Sequence, residues 1–257
     1  MFSIEHLNNL REQELSQLLP HLLGKGRILE IGGGSGIQAK RLSEAGCDIV
    51  SVDVRDSGYA DDRVFPVIDY DGHRLPFPDD SFDVVFSSNV LEHIPHLDDF
   101  QVEIKRVLRS GGYCIHVMPT GVWRFWTSVA HYVEFGQRVA QVVWQMLPRT
   151  LSPRLILSNT RNCIGQLAGL GKAYLYPPRH GETGNALTEI YTFSRHYWIR
   201  HFERNGYEVE EASPMRLFYT GHMVLGKHWS MSSRQSTSRI LGSACVLYRV
   251  RPGIGSR

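Results

Sequence analysis

Arg27-Ile28-Leu29-Glu30-Ile31-Gly32-Gly33-Gly34-Ser35-Gly36 decides the fold. A short apolar run of the buried-strand kind ends in four glycines within five positions, and a helical pattern follows through Glu44. Glycines at such a turn adopt positive φ and let a ligand approach the backbone without meeting a Cβ. The spacing is E-x-G-x-G-x-G over Glu30, Gly32, Gly34 and Gly36. A dinucleotide fingerprint requires G-x-G-x-x-G to bring a pyrophosphate to a helix end, so a nicotinamide-dependent oxidoreductase is disfavoured.

Outward from this turn the chain alternates strands and helices. Strands are expected at Arg27 to Ile31, Asp48 to Val52, Arg63 to Ile68, Phe82 to Ser87 and Tyr113 to Met118, with a helix from Asp98 to Leu108. Buried-type runs such as Asp83-Val84-Val85-Phe86 between helices imply an α/β fold, a doubly wound and mostly parallel sheet. Before the turn, Leu7, Leu10, Leu15, Leu18 and Leu19 follow helical spacing, with Ser3 as cap and Pro20 as stop. After residue 119 the rhythm breaks, and Pro148, Pro153, Pro177 and Pro178 fall in a stretch that reads as an insertion. A helix resumes after the cap Ser194 and ends at Asn205-Gly206. Strands at Tyr207 to Ala212 and Ala244 to Arg251 bring the sheet to seven, and the Ser-rich Lys227 to Arg239 reads as a loop. The expected organisation is an N-terminal packing helix (1–24), a ligand-binding core (25–119), an inserted acceptor lid (120–190) and a C-terminal completion of the sheet (191–257).

The chain has 257 residues, 42% of them hydrophobic and 21% charged, which is ordinary for a globular protein. Cys47, Cys114, Cys163 and Cys245 are widely spaced, which suggests neither a disulfide framework nor a zinc site. Glu5, Arg11, Glu12 and Glu14 interrupt the first leucines, unlike a secretory signal. A cytoplasmic protein is expected, with peripheral membrane contact as an alternative site of action. Charge is split: residues 1–119 carry 11 Lys/Arg against 19 Asp/Glu, whereas residues 120–257 carry 17 against 7. An acidic half suits a cationic cofactor and a basic half an anionic acceptor or surface.

Asp53 ends the second strand, seventeen positions after Gly36, where a carboxylate can accept both hydroxyls of a ribose. The run Asp71-Gly72-His73-Arg74-Leu75-Pro76-Phe77-Pro78-Asp79-Asp80-Ser81-Phe82-Asp83-Val84-Val85 closely resembles D-[AG]-x-x-L-P-F-x-[DN]-x-[ST]-F-D-x-V. That pattern belongs to the small-molecule branch of the class I S-adenosylmethionine-dependent methyltransferases (type 11), which includes the ubiquinone and menaquinone enzymes. The resemblance extends through Ser87-Ser88-Asn89-Val90-Leu91-Glu92-His93-Ile94 and Val107-Leu108-Arg109-Ser110-Gly111-Gly112, where Arg109 and Ser110 replace the usual Lys and Pro. It implies S-adenosylmethionine as cofactor and Glu30, Gly32, Gly34, Gly36, Asp53, Asp71, Gly72 and Asn89 as its site. Asp71 would accept from the adenine amino group, Gly72 and His73 would lie along the ring, and Asn89 would stand near the methionyl end. Residues 25–119 carry the resemblance strongly, 194–212 and 244–251 loosely, and 120–190 not at all.

On the acceptor side, His93 is the candidate catalytic residue, against a packing or capping role. Arg179, His180 and Glu182 are candidate substrate contacts in a polar loop rimmed by Tyr174, Tyr176 and Tyr191, against an ordinary connection. His93, His96 and Asp98 resemble metal ligands in spacing, but Pro95 and the lack of further convergent ligands argue against it, and no metal is expected. His116 falls inside the fifth strand, a core position. Val122, Trp126, Val129, Val133, Ala140, Val143 and Leu147 form an apolar helical stripe, with Arg124, His131 and Arg138 elsewhere. A lid, a homodimer face and a helix lying in an anionic bilayer all fit that stripe. The expected function is methyl transfer to a small-molecule or lipid-linked acceptor, with a non-catalytic cofactor-binding scaffold as the alternative. A nucleic-acid methyltransferase is disfavoured, because Ser88-Asn89-Val90-Leu91 stands where an N-P-P-Y-like motif would hold a flipped base.

Overall fold

Period-two alternation assigns each strand residue to one of two helical layers. The computed structural model describes residues 4–146, 153–221 and 226–253. Strands β1 (Arg27–Ile31), β2 (Asp48–Val54), β3 (Val67–Tyr70), β4 (Phe82–Ser88) and β5 (Leu108–Pro119) pair in parallel, while β6 (Tyr207–Pro214) and β7 (Cys245–Pro252) form an antiparallel hairpin at one edge. The seven-stranded order is β3-β2-β1-β4-β5-β7-β6, with β7 antiparallel to β5.

Helices α1 (Ile4–Leu22), α2 (Ile37–Glu44), α3 (Leu97–Val107), α4 (Gly121–Met146), α5 (Pro153–Tyr174), α6 (Thr188–Thr192), α7 (Arg195–Arg204) and α8 (Met231–Leu241) complete the structure. Leu29, Ile31, Val85 and Cys114 pack on one sheet face against Phe100 and Ile104 of α3 and Trp198 and Phe202 of α7. Ile28, Val84, Phe86, Ile115 and Val117 pack on the other against Leu15, Leu18 and Leu22 of α1 and Ala39 and Leu42 of α2. Each such burial is worth about 1.5–3 kcal/mol, so the central strands β1, β4 and β5 hold both layers.

Several expectations shift by a few residues, each for a physical reason. The third strand starts at Val67 rather than Arg63, because Pro66 has no N–H to give a ladder. Helix α1 runs through Pro20 instead of stopping there. Pro20 sits on the exposed face, so the carbonyl it leaves unbonded, that of Ser16, meets water, while Leu18 and Leu22 stay fully buried. The expected loop from Lys227 to Arg239 is instead a 3-10 turn at Gly226–His228 followed by α8. Ser230 caps that helix by accepting from Ser233 N, and the buried Arg234 ties it down by donating to Phe218 O at 3.0 Å. These tertiary contacts override the weak helix propensity of its serines.

Between β5 and α7 the chain forms α4 and α5, which pack on each other. Helix α5 starts at Pro153, whose fixed φ and missing N–H suit a first turn. The apolar stripe of α4 faces outward: Val129 is 37% and Val133 44% exposed, while Arg124 (2%) and His131 (4%) point inward. Ser3, the Leu7 side chain, Leu147 and Pro148 lie outside the described residues. Among the described residues no helix is long and apolar enough to cross a membrane.

Ser194 caps α7 as its sequence position implies, accepting from Tyr197 N at 3.2 Å. Ser194→Ala is expected to cost about 1 kcal/mol, read as a lower urea midpoint at unchanged m-value. An unchanged midpoint would remove the cap from the stability of this helix.

Candidate cofactor and acceptor site

Parallel strands present their carboxyl ends at one sheet edge, and the glycine turn leaves β1 there. Gly32 N and Gly33 N both donate to Val52 O, at 2.9 and 3.0 Å, which folds the turn over the end of β2. Gly32 has φ +74°, and a Cβ there would stand 2.3 Å from the Val90 side chain that follows β4. Gly34 has φ +56° and nothing nearer than the Tyr59 ring at 3.5 Å, so it opens toward a ligand. Gly36, also left-handed at φ 77°, is the N-cap of α2. Glu30 lies beneath the turn, buried, with Ser51 Oγ donating to its carboxylate at 2.6 Å. Burial pushes its carboxyl up to about 7, opposed by the Ser51 hydrogen bond and reinforced by Asp53.

Asp53 is tied to the turn: its Oδ2 accepts from Gly34 N at 2.9 Å and from Ser57 Oγ at 2.8 Å. Asp71 follows β3, and its Oδ1 accepts from His73 N and Arg74 N at 2.8 Å each, which holds the carboxyl below its usual range. Gly72 O bonds His96 Nε2 at 2.9 Å, and the His73 and His96 rings stack with centroids 4.2 Å apart. Asn89 leaves β4 with φ 55°, its N donating to Val117 O of β5 at 2.8 Å.

A cavity of about 180 Å³ lies against Gly33, Gly34 and Ser35, walled by Tyr59, Gln38 and Arg11 of α1. Arg11 donates to Glu14 at 2.7 Å, and Tyr219 OH donates to the other Glu14 oxygen at 2.9 Å. Tyr219 OH also lies 3.1 Å from Cys245 Sγ, which donates to Asn89 Oδ1 at 3.4 Å. This chain of contacts joins α1, the segment before α8 and β7 to the end of β4. Arg11 and Glu14 are an ordinary i,i+3 pair in sequence, and their tie to Tyr219 is not legible because Glu14 and Tyr219 are 205 positions apart.

Beyond Asn89 a 3-10 turn, Leu91–His93, carries Glu92 inward and His93 outward. The loop before α6 returns to this turn, with Glu182 N donating to Glu92 O at 3.1 Å. It sets His180 beside His93, ring centroids 4.8 Å apart, and its edge against Trp123 at 4.7 Å. Arg179 is exposed and donates to Glu182 O at 2.8 Å, so the guanidinium is turned along the loop. Glu189 fixes the loop by accepting from His180 N at 2.7 Å and Gly181 N at 2.8 Å, and it pairs with Arg124 at 2.7 Å in a buried ion pair. Arg124 also donates to Pro178 O at 2.6 Å. Glu92 is buried with its carboxyl raised to about 8 by desolvation, while burial, His93 and Arg124 lower His180 to about 4. A cavity of about 440 Å³ opens beside Glu92, toward Glu182, Phe193 and Trp198.

His96 and Asp98 do not join His93. His96 serves Gly72, and Asp98 accepts from Arg204 and Asn205. His116 is a core residue, bonded to Ser87 Oγ at 2.8 Å and stacked on Phe202. Glu92 and the pair Arg124–Glu189, which stand beside His93 and His180, are groups that sequence reasoning passed over. Glu92 stood within a quoted run and shows its character only through burial.

A doubly wound seven-stranded sheet with a glycine turn after β1 and acids at the ends of β2 and β3 is the arrangement that the resemblance to class I S-adenosylmethionine-dependent methyltransferases implied. Residues 29–116 match the family described as a methyltransferase domain, and S-adenosylmethionine is the cofactor of that class. A biotin biosynthesis bifunctional protein BioHC from Cellvibrio japonicus is 27% identical over 75% of this chain and 42% of its own length. An uncharacterized methyltransferase from Mycobacterium tuberculosis is 32% identical over 45% of this chain and 49% of its own. The chain thus spans about half the length of the curated relatives it matches. Among solved structures, a SAM-dependent methyltransferase from Aquifex aeolicus aligns over 97% of this chain and 98% of its own, with TM-score 0.51 and 13% identity. A putative methyltransferase from Haloferax volcanii, in complex with the Trm112 activator, aligns over 97% and 92% with TM-score 0.55 and 12% identity. At these identities both show the fold alone.

Two outcomes test the site's electrostatics. Glu30 binds a proton more tightly folded than unfolded, so it withdraws stability as pH rises from 4.5 through about 7. Glu30→Gln should therefore gain on the wild type by about 2–3 kcal/mol between pH 4.5 and 7.5 in urea unfolding, and a constant difference would mean an unshifted carboxyl. Glu189→Ala leaves Arg124 buried without its ion-pair partner and should cost about 3–5 kcal/mol in urea unfolding; Arg124→Met/Glu189→Leu should recover only the charge part, because His180 N and Gly181 N still lack their acceptor.

Proposed function

We propose that this chain transfers a methyl group from S-adenosylmethionine to a small-molecule or lipid-linked acceptor. The observation that carries the proposal is that Gly34, Asp53, Asp71 and Asn89 all stand at the carboxyl ends of the parallel strands, Gly34 bonded to Asp53, with a cavity against Gly34 that Arg11 lines. The cofactor supplies a methyl group on a positively charged sulfur, suited to in-line displacement. Asp53 would accept from the ribose hydroxyls and Asp71 from the adenine amino group, while Arg11 would donate to the methionyl carboxylate. Asn89, left-handed at φ 55° with its N donating to Val117 O, would stand at that end of the cofactor. His93 and His180 face the side from which an acceptor arrives, and the loop fixed by Glu189 covers it and limits water. The name of the Cellvibrio relative places it in biotin biosynthesis, the making of a small molecule, which supports an acceptor of that class.

The insertion has a second proposed role. Val122, Phe125, Val129 and Val133 turn outward along α4, with Trp144 near its end. An apolar and aromatic stripe on the basic half of the chain suits peripheral contact with an anionic bilayer, where a lipid-linked acceptor would reside.

Calorimetry should show S-adenosylmethionine and S-adenosylhomocysteine binding, and NAD not. Asp53→Ala and Gly34→Val should each weaken binding at least about tenfold with the circular dichroism spectrum unchanged, the loss of one charge-assisted hydrogen bond or of backbone approach. Retained affinity in both variants would sink the site. Co-sedimentation with phosphatidylglycerol vesicles, reduced in Val129→Asp/Val133→Asp and weak with phosphatidylcholine, would support the membrane contact; a dimer in sedimentation velocity without vesicle binding would replace it.

A further inference from the structure

We infer that Glu92, His93 and His180 form a binding site for one divalent transition-metal ion. Among the described residues they are the single group of three ligand-type side chains close enough to share an ion, with one donor atom from each within 4.8 Å of the others. Glu92 Oε1 lies 3.8 Å from His93 Nε2 and 3.9 Å from His180 Nε2. An ion about 2.1 Å from each donor requires edges of roughly 3.4 Å in tetrahedral geometry. Rotation of the two imidazoles, 39% and 36% exposed, supplies that contraction.

The independent observation is Glu92 itself. Its side chain is 1% exposed, and neither carboxylate oxygen has a hydrogen-bond partner. A buried carboxylate without a partner is costly, and a cation at this point supplies both the charge and the missing bonds. The second imidazole arrives from an insertion 87 positions downstream, on a loop that the buried Arg124–Glu189 pair fixes through His180 N and Gly181 N. One carboxylate and two imidazoles suit zinc, iron(II), cobalt(II) or manganese(II) rather than calcium or magnesium. Three protein ligands leave coordination positions open to water or to an oxygen of a bound molecule. Metal binding needs neither cofactor nor acceptor, so the site stands or falls apart from the methyl-transfer proposal.

Cobalt(II) chloride alone is the probe, titrated into the full chain and read by visible absorption and by calorimetry. The expected result is one ion per chain, with d–d bands, bound at least about tenfold more weakly in each of Glu92→Gln, His93→Ala and His180→Ala. Thermal melting of the metal-free variants, within a few degrees of wild type, separates ligand loss from unfolding. His196→Ala, a change at an exposed histidine outside the group, should leave binding unchanged. Absence of binding at millimolar cobalt(II), or binding that persists in the three variants, overturns the site.

Discussion

The hydrogen-bonded register of β4 between β1 and β5 is the constraint from which the rest of the structure follows. Ile31 pairs with Ser87 and Ser88 with Val117, so three parallel strands end together. Because they end together, the glycine turn after β1 meets Val90 after β4, and a residue with a Cβ at Gly32 would force the two apart. The glycine turn, Asn89, the 3-10 turn with Glu92 and His93, and the start of α4 all hang from this one edge. Open α/β sheets collect ligands there because strand ends diverge where connections leave to opposite faces.

A second device stands away from the sheet. Arg124 and Glu189 are buried as a pair, and a buried pair is seldom a net source of stability because both ions lose their water. What this pair does is geometric: Glu189 accepts two backbone N–H groups of the loop and Arg124 donates to the loop's carbonyl at Pro178. The loop thereby delivers His180 to the end of β4 with its backbone already satisfied. Arg124 and His131 turn inward on α4 beside Trp123 and Ala130, which leaves Val122, Phe125, Val129 and Val133 on the outer surface.

Both signs of charge meet at the same edge, within the first half of the chain. Glu30 and Asp53 stand at the glycine turn, while Arg11 lines its cavity from α1, held by Glu14. The Glu14–Tyr219–Cys245–Asn89 contacts carry that anchoring from the N-terminal helix to the end of β4. The cavity at the glycine turn therefore depends on elements from both ends of the chain.

The apolar run 27–31, its glycines, the acids at Asp53 and Asp71 and the cap Ser194 were legible in the sequence because each is a local demand. A buried strand, a positive φ, a strand-end carboxylate and an orphan helix N–H are all settled within a few residues. The seven strands and their mostly parallel class follow from the same local patterning. Helix α8 and the continuation of α1 past Pro20 were not legible, since Arg234 and Leu22 act through partners far along the chain. Nor was the outward turn of the α4 stripe, because periodicity shows that a helix has two faces and is silent on which one the fold covers. Sequence alone determined the fold class and the cofactor edge; tertiary structure decided that Glu92, His93 and His180 meet, because burial and long-range pairing are properties of distance in space and not of position in the chain.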